Sequence, residues 1–196
     1  DLGCGTLRHS IYLAGKVKKI LGLDLSKTML KIAENKIEKK GLSPKKIDLN
    51  YGNIINFKSK EKFNVAYSLF DVICLITKDS DIKKFFLNLH KHLEPGSLVY
   101  LDYWYKPAVF YMKIKDIRQT YENTHFKIVR EKIQKMNKKK NYVNVVFKLK
   151  VYNKKNKIKK ELEETHPMRF FNTTEIDKFS KKYFNVISHL SSYSNS

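Results

Sequence analysis

The sequence predicts an α/β protein with a doubly wound, mainly parallel sheet and a late antiparallel β insertion. Strand-like and helix-like segments alternate through residues 1–106, an order that requires crossover connections and therefore parallel strands. After Pro107 the chain changes character. Long extended segments follow one another there, joined by turns rich in Asn and Lys, which is the pattern of an antiparallel meander.

In the first half, strands are predicted at 16–24, 46–51, 63–69 and 98–101. Ser26 is a suitable N-cap for a helix whose apolar face includes Leu30, Ala33 and Ile37 and which ends before Gly41. A second helix follows from apolar residues at helical spacing between Ile82 and Leu93, and Pro95-Gly96 terminates it.

In the second half, strands are predicted at 125–133, 142–152 and 158–169. Asn172 and Glu175 form the pattern of a capping box for a last helix, on which Ile176, Phe179 and Tyr183 share one face. A final strand is predicted at 184–190, before a Ser-rich tail.

The length of 196 residues suits one domain. We divide it into a core at 1–106, an antiparallel insertion at 107–171, and a helix and strand at 172–196 that return to the core. The chain opens on Asp1, at what reads as a junction between strand and loop. We therefore expect a truncated N-terminus and leave truncation of the C-terminus open.

Charge and cysteine content limit which partners and which cellular compartment are expected. The formal net charge is +21, but only four of the 40 basic residues are arginine. Nucleic-acid sites favour arginine, so a solvated lysine-rich surface is favoured over a polyanion site. Two cysteines provide neither a disulfide framework nor a metal cluster, which indicates a reducing cytoplasm. No apolar run approaches the ~18 residues of a membrane helix, so no membrane association is expected.

The candidate chemistry begins at the first residue. Asp1 stands at a strand end and is followed by Gly3 and Gly5, which let backbone amides approach a ligand without an intervening Cβ. Asp24 ends the next strand 23 residues later, where an acid can accept both hydroxyls of a ribose. No residue pattern prepares a helix N-terminus for phosphate, which argues against a dinucleotide.

These residues resemble the motifs of class I S-adenosylmethionine-dependent methyltransferases, whose sheet is Rossmann-like. Residues 1–6 resemble the first motif, 23–30 the second, 52–54 the adenine segment, and 93–97 the Leu-x-Pro-Gly turn. The resemblance implies S-adenosylmethionine as cofactor, held by Asp1, Gly3, Gly5, Asp24, Leu25, Met29, Asn53, Ile54 and Leu69. Asp24 would take the ribose, and Asn53 with the amide of Ile54 the adenine edge. Leu7 replaces the third glycine of the first motif and is expected to crowd the approach to the cofactor.

Residues 67–73, 102–109 and 164–171 resemble a branch that methylates amino sugars and small amines, in which the insertion covers the acceptor site. In this context we expect His166 to act as base and Tyr103 as an orienting hydroxyl. Acceptor-binding residues are Asp71, Trp104, Tyr105 and Arg169, the last holding an anionic group. Structural alternatives stay open: a satisfied His166, core aromatics at 104 and 105, and pairing of Arg169 with Glu163 or Glu164.

The sequence therefore predicts a methyltransferase for a small-molecule N or O acceptor, with a sugar or small amine favoured. One alternative is an RNA methyltransferase or RNA-binding module that uses the lysine-rich residues 127–160. The other is a non-catalytic relative with a pocket closed by Leu7. No metal is expected, since His90 and His92 lie on different faces of a helix. Monomer and homodimer both remain open.

Overall fold

The computed structural model describes residues 1–111, 115–153 and 157–190, and it has the predicted fold class, a parallel α/β core with a late antiparallel sheet. Two compact units make up the chain. The first contains residues 1–73, 78–103 and the described residues from Thr174 onward, and the second contains residues 74–77 and 104–173.

The first unit contains two parallel strand pairs: β1 (Ile20–Asp24) with β2 (Ile47–Tyr51), and β3 (Phe63–Ser68) with β4 (Leu93–Leu101). Residues 1–3 lie between the two pairs. The amide of Gly3 donates to the carbonyl of Leu23 in β1 (2.8 Å), and the amide of Leu2 donates to the carbonyl of Tyr67 in β3 (2.9 Å). The spatial order is therefore β2, β1, residues 1–3, β3, β4. Strand order reverses at residues 1–3, the position at which such sheets bind ligands.

Five helices accompany the strands in the described residues: α1 (Ser10–Leu13), α2 (Lys27–Lys39), α3 (Asp79–Lys91), α4 (Lys106–Tyr111) and α5 (Thr173–Ser180). The predicted cap of α2 is confirmed, because the hydroxyl of Ser26 accepts from the amide of Met29 (3.3 Å). Its predicted apolar face is buried as well, and α3 buries Ile82, Phe85, Phe86 and Leu89. These two faces supply much of the core that supports the strand ends.

Two predicted strand starts are wrong in position. The strand predicted at 16–24 begins at Ile20, because the lysines before it lie in a turn at the surface. The strand predicted at 98–101 begins at Leu93. Leu93 pairs with Phe63 and Leu98 with Val65, so the intervening Pro-Gly residues bulge within the strand instead of preceding it.

The second unit contains an antiparallel sheet in the order β5 (Ile117–Glu122), β6 (Phe126–Asn137), β7 (Tyr142–Asn153) and β8 (Ile158–Arg169). The three predicted strands correspond to β6, β7 and β8. Neither α4 nor β5 was predicted. All residues of β5 are exposed, so this edge strand has no buried face and no apolar alternation to mark it.

The end of the chain departs from prediction after α5. This helix begins directly after Asn172 and buries Ile176 and Phe179, whereas Tyr183 lies beyond its end. The predicted strand at 184–190 is wrong: these residues pair with no described strand, and a strand needs a ladder partner. Phe184 instead packs near His90 of α3, with ring centroids 6.0 Å apart. The Ser-rich tail at 191–196 lies outside the described residues.

Candidate active site

Two glycines, Gly3 and Gly5, shape the loop that begins at Gly3, and their surroundings differ. Gly3 and Gly5 both adopt a positive φ, of 76° and 52°. A Cβ on Gly3 would lie 2.6 Å from Cγ2 of Val72, so packing alone requires a glycine there. A Cβ on Gly5 would meet no atom within 4 Å. The loop is therefore packed behind Gly3 and open beside Gly5, as a cradle for a ligand must be.

Leu7 is fully buried and has a φ of 59°. Its side chain belongs to a core cluster with Leu30 and Ile47, and its Cδ2 lies 3.2 Å from a Cβ built on Gly22 of β1. The expectation that Leu7 crowds the cofactor is therefore wrong. The backbone takes the left-handed conformation that a glycine adopts readily, while the side chain points into the core.

Asp24 connects the end of β1 to the glycine loop. Its Oδ2 accepts from the amide of Gly5 (2.8 Å), and its Oδ1 accepts from the amide of Ser26 (2.8 Å). A carboxylate offers about four lone-pair sites. Each oxygen therefore keeps one site for a hydroxyl, which fits the expected contact with a ribose.

Asp1 lies in a polar network that the sequence did not reveal. Its carboxylate accepts from the hydroxyl of Ser10, which also bonds the hydroxyl of Tyr67 (2.8 Å). Ser10 is fully buried, and burial raises the pKa of Tyr67, so the phenol stays protonated at neutral pH. No sequence motif marks either hydroxyl, since they are brought together by packing.

Cys4 lies in the same loop and is not a nucleophile. Burial, and secondarily the carboxylate of Asp24, raise the pKa of this thiol to about 12. The thiolate is the reactive form of cysteine, and it is negligible at neutral pH with such a pKa. We therefore assign Cys4 no covalent role.

Apolar side chains stand exposed beside Asp24. Leu25 is 58% exposed and Met29 is 43% exposed. Across the strand pair, Oδ1 of Asn53 accepts from the amide of Ile55 (2.9 Å) and retains a second lone pair, while Ile54 is buried. This surface has the composition that an adenine ring would cover.

A turn after β3 holds two predicted residues, Leu69 and Asp71, in a strained backbone. Phe70 and Asp71 have φ values of 62° and 61°. The carboxylate of Asp102, just after β4, accepts from both of their amides, at 2.7 and 2.8 Å. Phe70 is exposed and stacks on His9, with ring centroids 5.1 Å apart. Sequence reasoning missed the role of Asp102, although an acid at the carboxyl end of a strand was an available signal.

Tyr103 follows Asp102 and takes part in a second polar chain. Its hydroxyl lies 3.2 Å from Nδ1 of His189, and Nε2 of His189 lies 2.9 Å from Oδ1 of Asp177 in α5. All three residues belong to the first unit. His189 was not among the predicted site residues, because it lies far from Tyr103 in the sequence.

Trp104 and Tyr105 open the second unit and differ in exposure. Trp104 packs on the cluster of Val143, Val145 and Phe170, and Tyr105 is 45% exposed. Trp104 therefore packs on the core of the second unit, whereas Tyr105 is exposed to solvent.

His166 and Arg169 lie on β8 in different settings. His166 is partly exposed, and its Nε2 lies 3.4 Å from the carboxylate of Glu164. Arg169 is only 8% exposed; it donates to the carbonyl of Thr77 (3.2 Å) and its guanidinium lies 4.9 Å from the ring centre of Phe171. Pairing of Arg169 with Glu164, five residues back along an extended strand, would have to span about 16 Å.

No group of three His, Cys, Asp or Glu side chains in the described parts of the chain is arranged to hold a metal ion. No helix within residues 1–111, 115–153 and 157–190 has the length and apolarity to cross a bilayer.

Comparison with known proteins gives a family match over residues 1–96, which fit the model described as "Methyltransferase domain". A dTDP-4-amino-2,3,4,6-tetradeoxy-D-glucose N,N-dimethyltransferase from Saccharopolyspora spinosa is 26% identical over 110 residues, covering 56% of this chain and 41% of that protein. A dTDP-3-amino-3,4,6-trideoxy-alpha-D-glucopyranose N,N-dimethyltransferase from Streptomyces venezuelae is also 26% identical over 110 residues, covering 56% of this chain and 44% of that protein. The chain thus spans less than half the length of these curated relatives.

Solved structures agree in fold. An S-adenosylmethionine-dependent methyltransferase from Clostridium acetobutylicum superimposes with a TM-score of 0.80 at 24% identity, covering 100% of this chain and 76% of that one. A sugar N-methyltransferase from Streptoalloteichus gives a TM-score of 0.80 at 15% identity, covering 93% of this chain and 69% of that one.

Proposed function

We propose that the chain is a methyltransferase that transfers the methyl group of S-adenosylmethionine to a small-molecule amine, with an amino sugar favoured. The support is the match of residues 1–96 to a methyltransferase domain and the similarity to two amino-sugar methyltransferases. The single observation that carries the proposal is the pairing of an open cradle at Gly5 with the carboxylate of Asp24. The amide of Gly5 donates to that carboxylate, while the space beside the glycine is open.

The chain's own residues fit the proposed cofactor. Asp24 would accept the ribose hydroxyls, Leu25 and Met29 would cover the adenine, and Asn53 would meet its edge. Asp1, Gly3 and Gly5 would face the methionine portion. S-adenosylmethionine supplies a methyl group on a sulfonium, whose thioether leaves without acid assistance, so orientation of the acceptor accounts for most of the acceleration.

The acceptor side of the proposal follows from the similarity to two relatives and from the exposure of individual side chains. Both curated relatives are named for dTDP-linked amino sugars, and this supports an amino-sugar acceptor here. We propose Asp71, Trp104 and Tyr105 as acceptor-binding residues, supported for Tyr105 by its exposed ring. Arg169 as an anion holder and His166 as base stay predictions, since one is buried and the other is partly exposed beside Glu164.

We place the reaction in the cytoplasm, and the support is that Cys4 and Cys74 are both free and buried. An oligomeric partner is not needed by any part of the proposed cofactor site, because its residues come from one chain. Monomer and homodimer remain equally compatible with the proposal.

Calorimetric titration of S-adenosylhomocysteine into the purified protein tests this function. We expect binding in the micromolar range, about −8 kcal/mol. Replacing Asp24 by Asn should weaken it at least about tenfold, since the amide keeps one acceptor but loses the charge. Asp48→Asn, an exposed acid on the neighbouring strand β2, is the matched control. Equal affinity in Asp24→Asn and wild type would refute the assigned cofactor site.

A further inference from the structure

The chain Tyr103–His189–Asp177 is a constellation of titratable groups that none of the cofactor contacts uses. Tyr103 follows β4 and adjoins Asp102, which fixes the turn after β3. The carboxyl ends of β1, β3 and β4 lie at one edge of their parallel sheet, so Tyr103 leaves that sheet at the edge where Asp24 and the glycine loop stand. The backbone of Tyr103 therefore starts from the edge of the sheet at which the proposed cofactor residues lie.

The three groups are arranged so that a carboxylate orients a histidine and the histidine faces a phenol. Asp177 lies 2.9 Å from Nε2 of His189, and a carboxylate there favours the tautomer that carries its proton on Nε2. Nδ1 is then an acceptor, and the hydroxyl of Tyr103 lies 3.2 Å from it. Asp177 from α5 and Tyr103 from the end of β4 are the titratable groups that the structure places within hydrogen-bond distance of His189. The imidazole is partly exposed and can exchange its proton with solvent.

We propose that Tyr103 removes the proton of the acceptor amine, with His189 as the positioning residue that takes the phenol proton and Asp177 as its orienting acid. This inference rests on the proposed function. The acceptor ammonium gives a proton to the oxygen of Tyr103 while the phenol proton passes to Nδ1 of His189. The freed lone pair forms the new C–N bond as the S–C bond breaks, and that electron pair stays on sulfur. His189 then releases its proton to water.

The relay uses a different histidine from the one that the sequence indicated, and it uses it to receive the proton of Tyr103. His166 faces Glu164 on the exposed strand β8 of the second unit, and its described contacts include no hydroxyl. His189 has both a carboxylate and a phenol on opposite ring nitrogens, the arrangement in which a histidine moves a proton between two groups.

The test compares His189→Gln, His189→Ala and Asp177→Asn with wild type, using dTDP-4-amino-2,3,4,6-tetradeoxy-D-glucose as acceptor probe. In His189→Ala we expect kcat to fall about 100-fold, the lower end of the range for a general base. The acidic limb of the pH profile of kcat should disappear, and affinity for S-adenosylhomocysteine should be unchanged. His189→Gln can still accept from the phenol, so it should restore KM and stability but not kcat.

His90→Ala is the matched control, because His90 packs on Tyr183 and Phe184 of the same C-terminal segment. It should leave the pH profile intact. An unchanged profile in His189→Gln together with a lost limb in His166→Ala would overturn the relay.

A second readout does not depend on turnover. Imidazole ¹⁵N spectra, with His189 assigned by its absence in His189→Gln, should show the tautomer protonated on Nε2, and Asp177→Asn should weaken that preference. The opposite tautomer in wild type would overturn the relay even if methyl transfer is observed. Failure of S-adenosylhomocysteine to bind would instead refute the proposed function, and the tautomer would still decide the relay geometry.

Discussion

Leu7 and Gly5 lie in one loop and both adopt a positive φ, although one has a large side chain and the other has none. The side chain of Leu7 is fully buried. A leucine in this conformation costs about 1–2 kcal/mol. Its burial in the core offsets that cost, because a fully buried leucine contributes about 1.5–3 kcal/mol.

Leu7→Gly is therefore expected to destabilise the protein although it restores the usual motif. The lost packing costs about 2–5 kcal/mol and the relieved backbone returns about 1 kcal/mol, for a net loss of about 1–4 kcal/mol. Urea unfolding measures this change. Affinity for S-adenosylhomocysteine should stay unchanged, and an increase would mean that the side chain does restrict the cofactor.

Gly5→Ala should have the opposite profile. Its Cβ meets no protein atom, so the stability cost is the backbone term of about 1 kcal/mol, but it enters the space proposed for the cofactor. Affinity for S-adenosylhomocysteine should fall at least about tenfold. Gly41→Ala is the control, since Gly41 has a similar φ of 61° and equally open surroundings after α2. Equal affinities in the two variants would show that Gly5 does not lie at the cofactor site.

At the scale of elements, the turn after β3 depends on the strand beside it. Phe70 and Asp71 are two consecutive non-glycine residues with a left-handed backbone. They hold this conformation because the carboxylate of Asp102 accepts from both of their amides. The strain is local, and the groups that oppose it come from the end of β4. Such strain persists where surrounding structure over-determines it, which is common at functional sites.

Asp102→Ala should release this turn. The loss of two charge-assisted hydrogen bonds is expected to lower the free energy of unfolding by about 2–3 kcal/mol, and the turn should relax. Urea unfolding and amide hydrogen exchange at Phe70 and Asp71 report the two effects. Asp48→Ala, on an exposed position of β2, controls for charge alone. Unchanged exchange rates in Asp102→Ala would contradict the account.

Elements with a buried face were predictable, and those without one were not. The helix capped by Ser26 follows from local chemistry and from three apolar residues at helical spacing. The exposed edge strand β5 has no such pattern, because its hydrogen bonds to β6 alone define it. Residues 184–190 show the converse: Val186 and Ile187 favour a strand, but pairing with another strand decides whether one forms.

For the whole molecule, the effect of the high net charge depends on how that charge is distributed. Cross-strand pairs join Lys148 to Glu163 and Lys150 to Glu161 at 3.2 Å, so part of the lysine excess on the meander is compensated locally. Such exposed pairs contribute little to stability. They do reduce the potential that a polyanion would meet.

Binding of a fluorescent 20-nucleotide RNA should accordingly be weak and nonspecific. We expect a Kd no tighter than about 10⁻⁶ M at physiological salt. Titrations at several salt concentrations measure both affinity and its salt dependence. Tight binding with a steep salt dependence would favour the RNA-directed alternative and would count against a small-molecule acceptor.

The candidate site was predictable where its residues form a continuous motif, and less so where the fold assembles it. Asp24 and Gly5 were marked by their spacing, and their amide–carboxylate contact connects them. Ser10 and His189 were missed, because each meets its partner only through packing of distant segments. Leu7 was found but misread, since a sequence does not tell on which side of the loop a side chain lies.

Gly22 of β1 is packed against three side chains, two of which belong to the glycine loop. A Cβ there would lie 2.9 Å from Leu49, 3.1 Å from the sulfur of Cys4 and 3.2 Å from Leu7. The residues at these four positions are therefore not independent choices, and the order in which they change matters. An alanine at position 22 would need Leu49, Cys4 and Leu7 all to move, and Leu49 most of all. A smaller residue at position 7 removes only one of these three contacts, so a glycine on another strand is coupled to the departure from the usual motif at Leu7 and to two further neighbours at once.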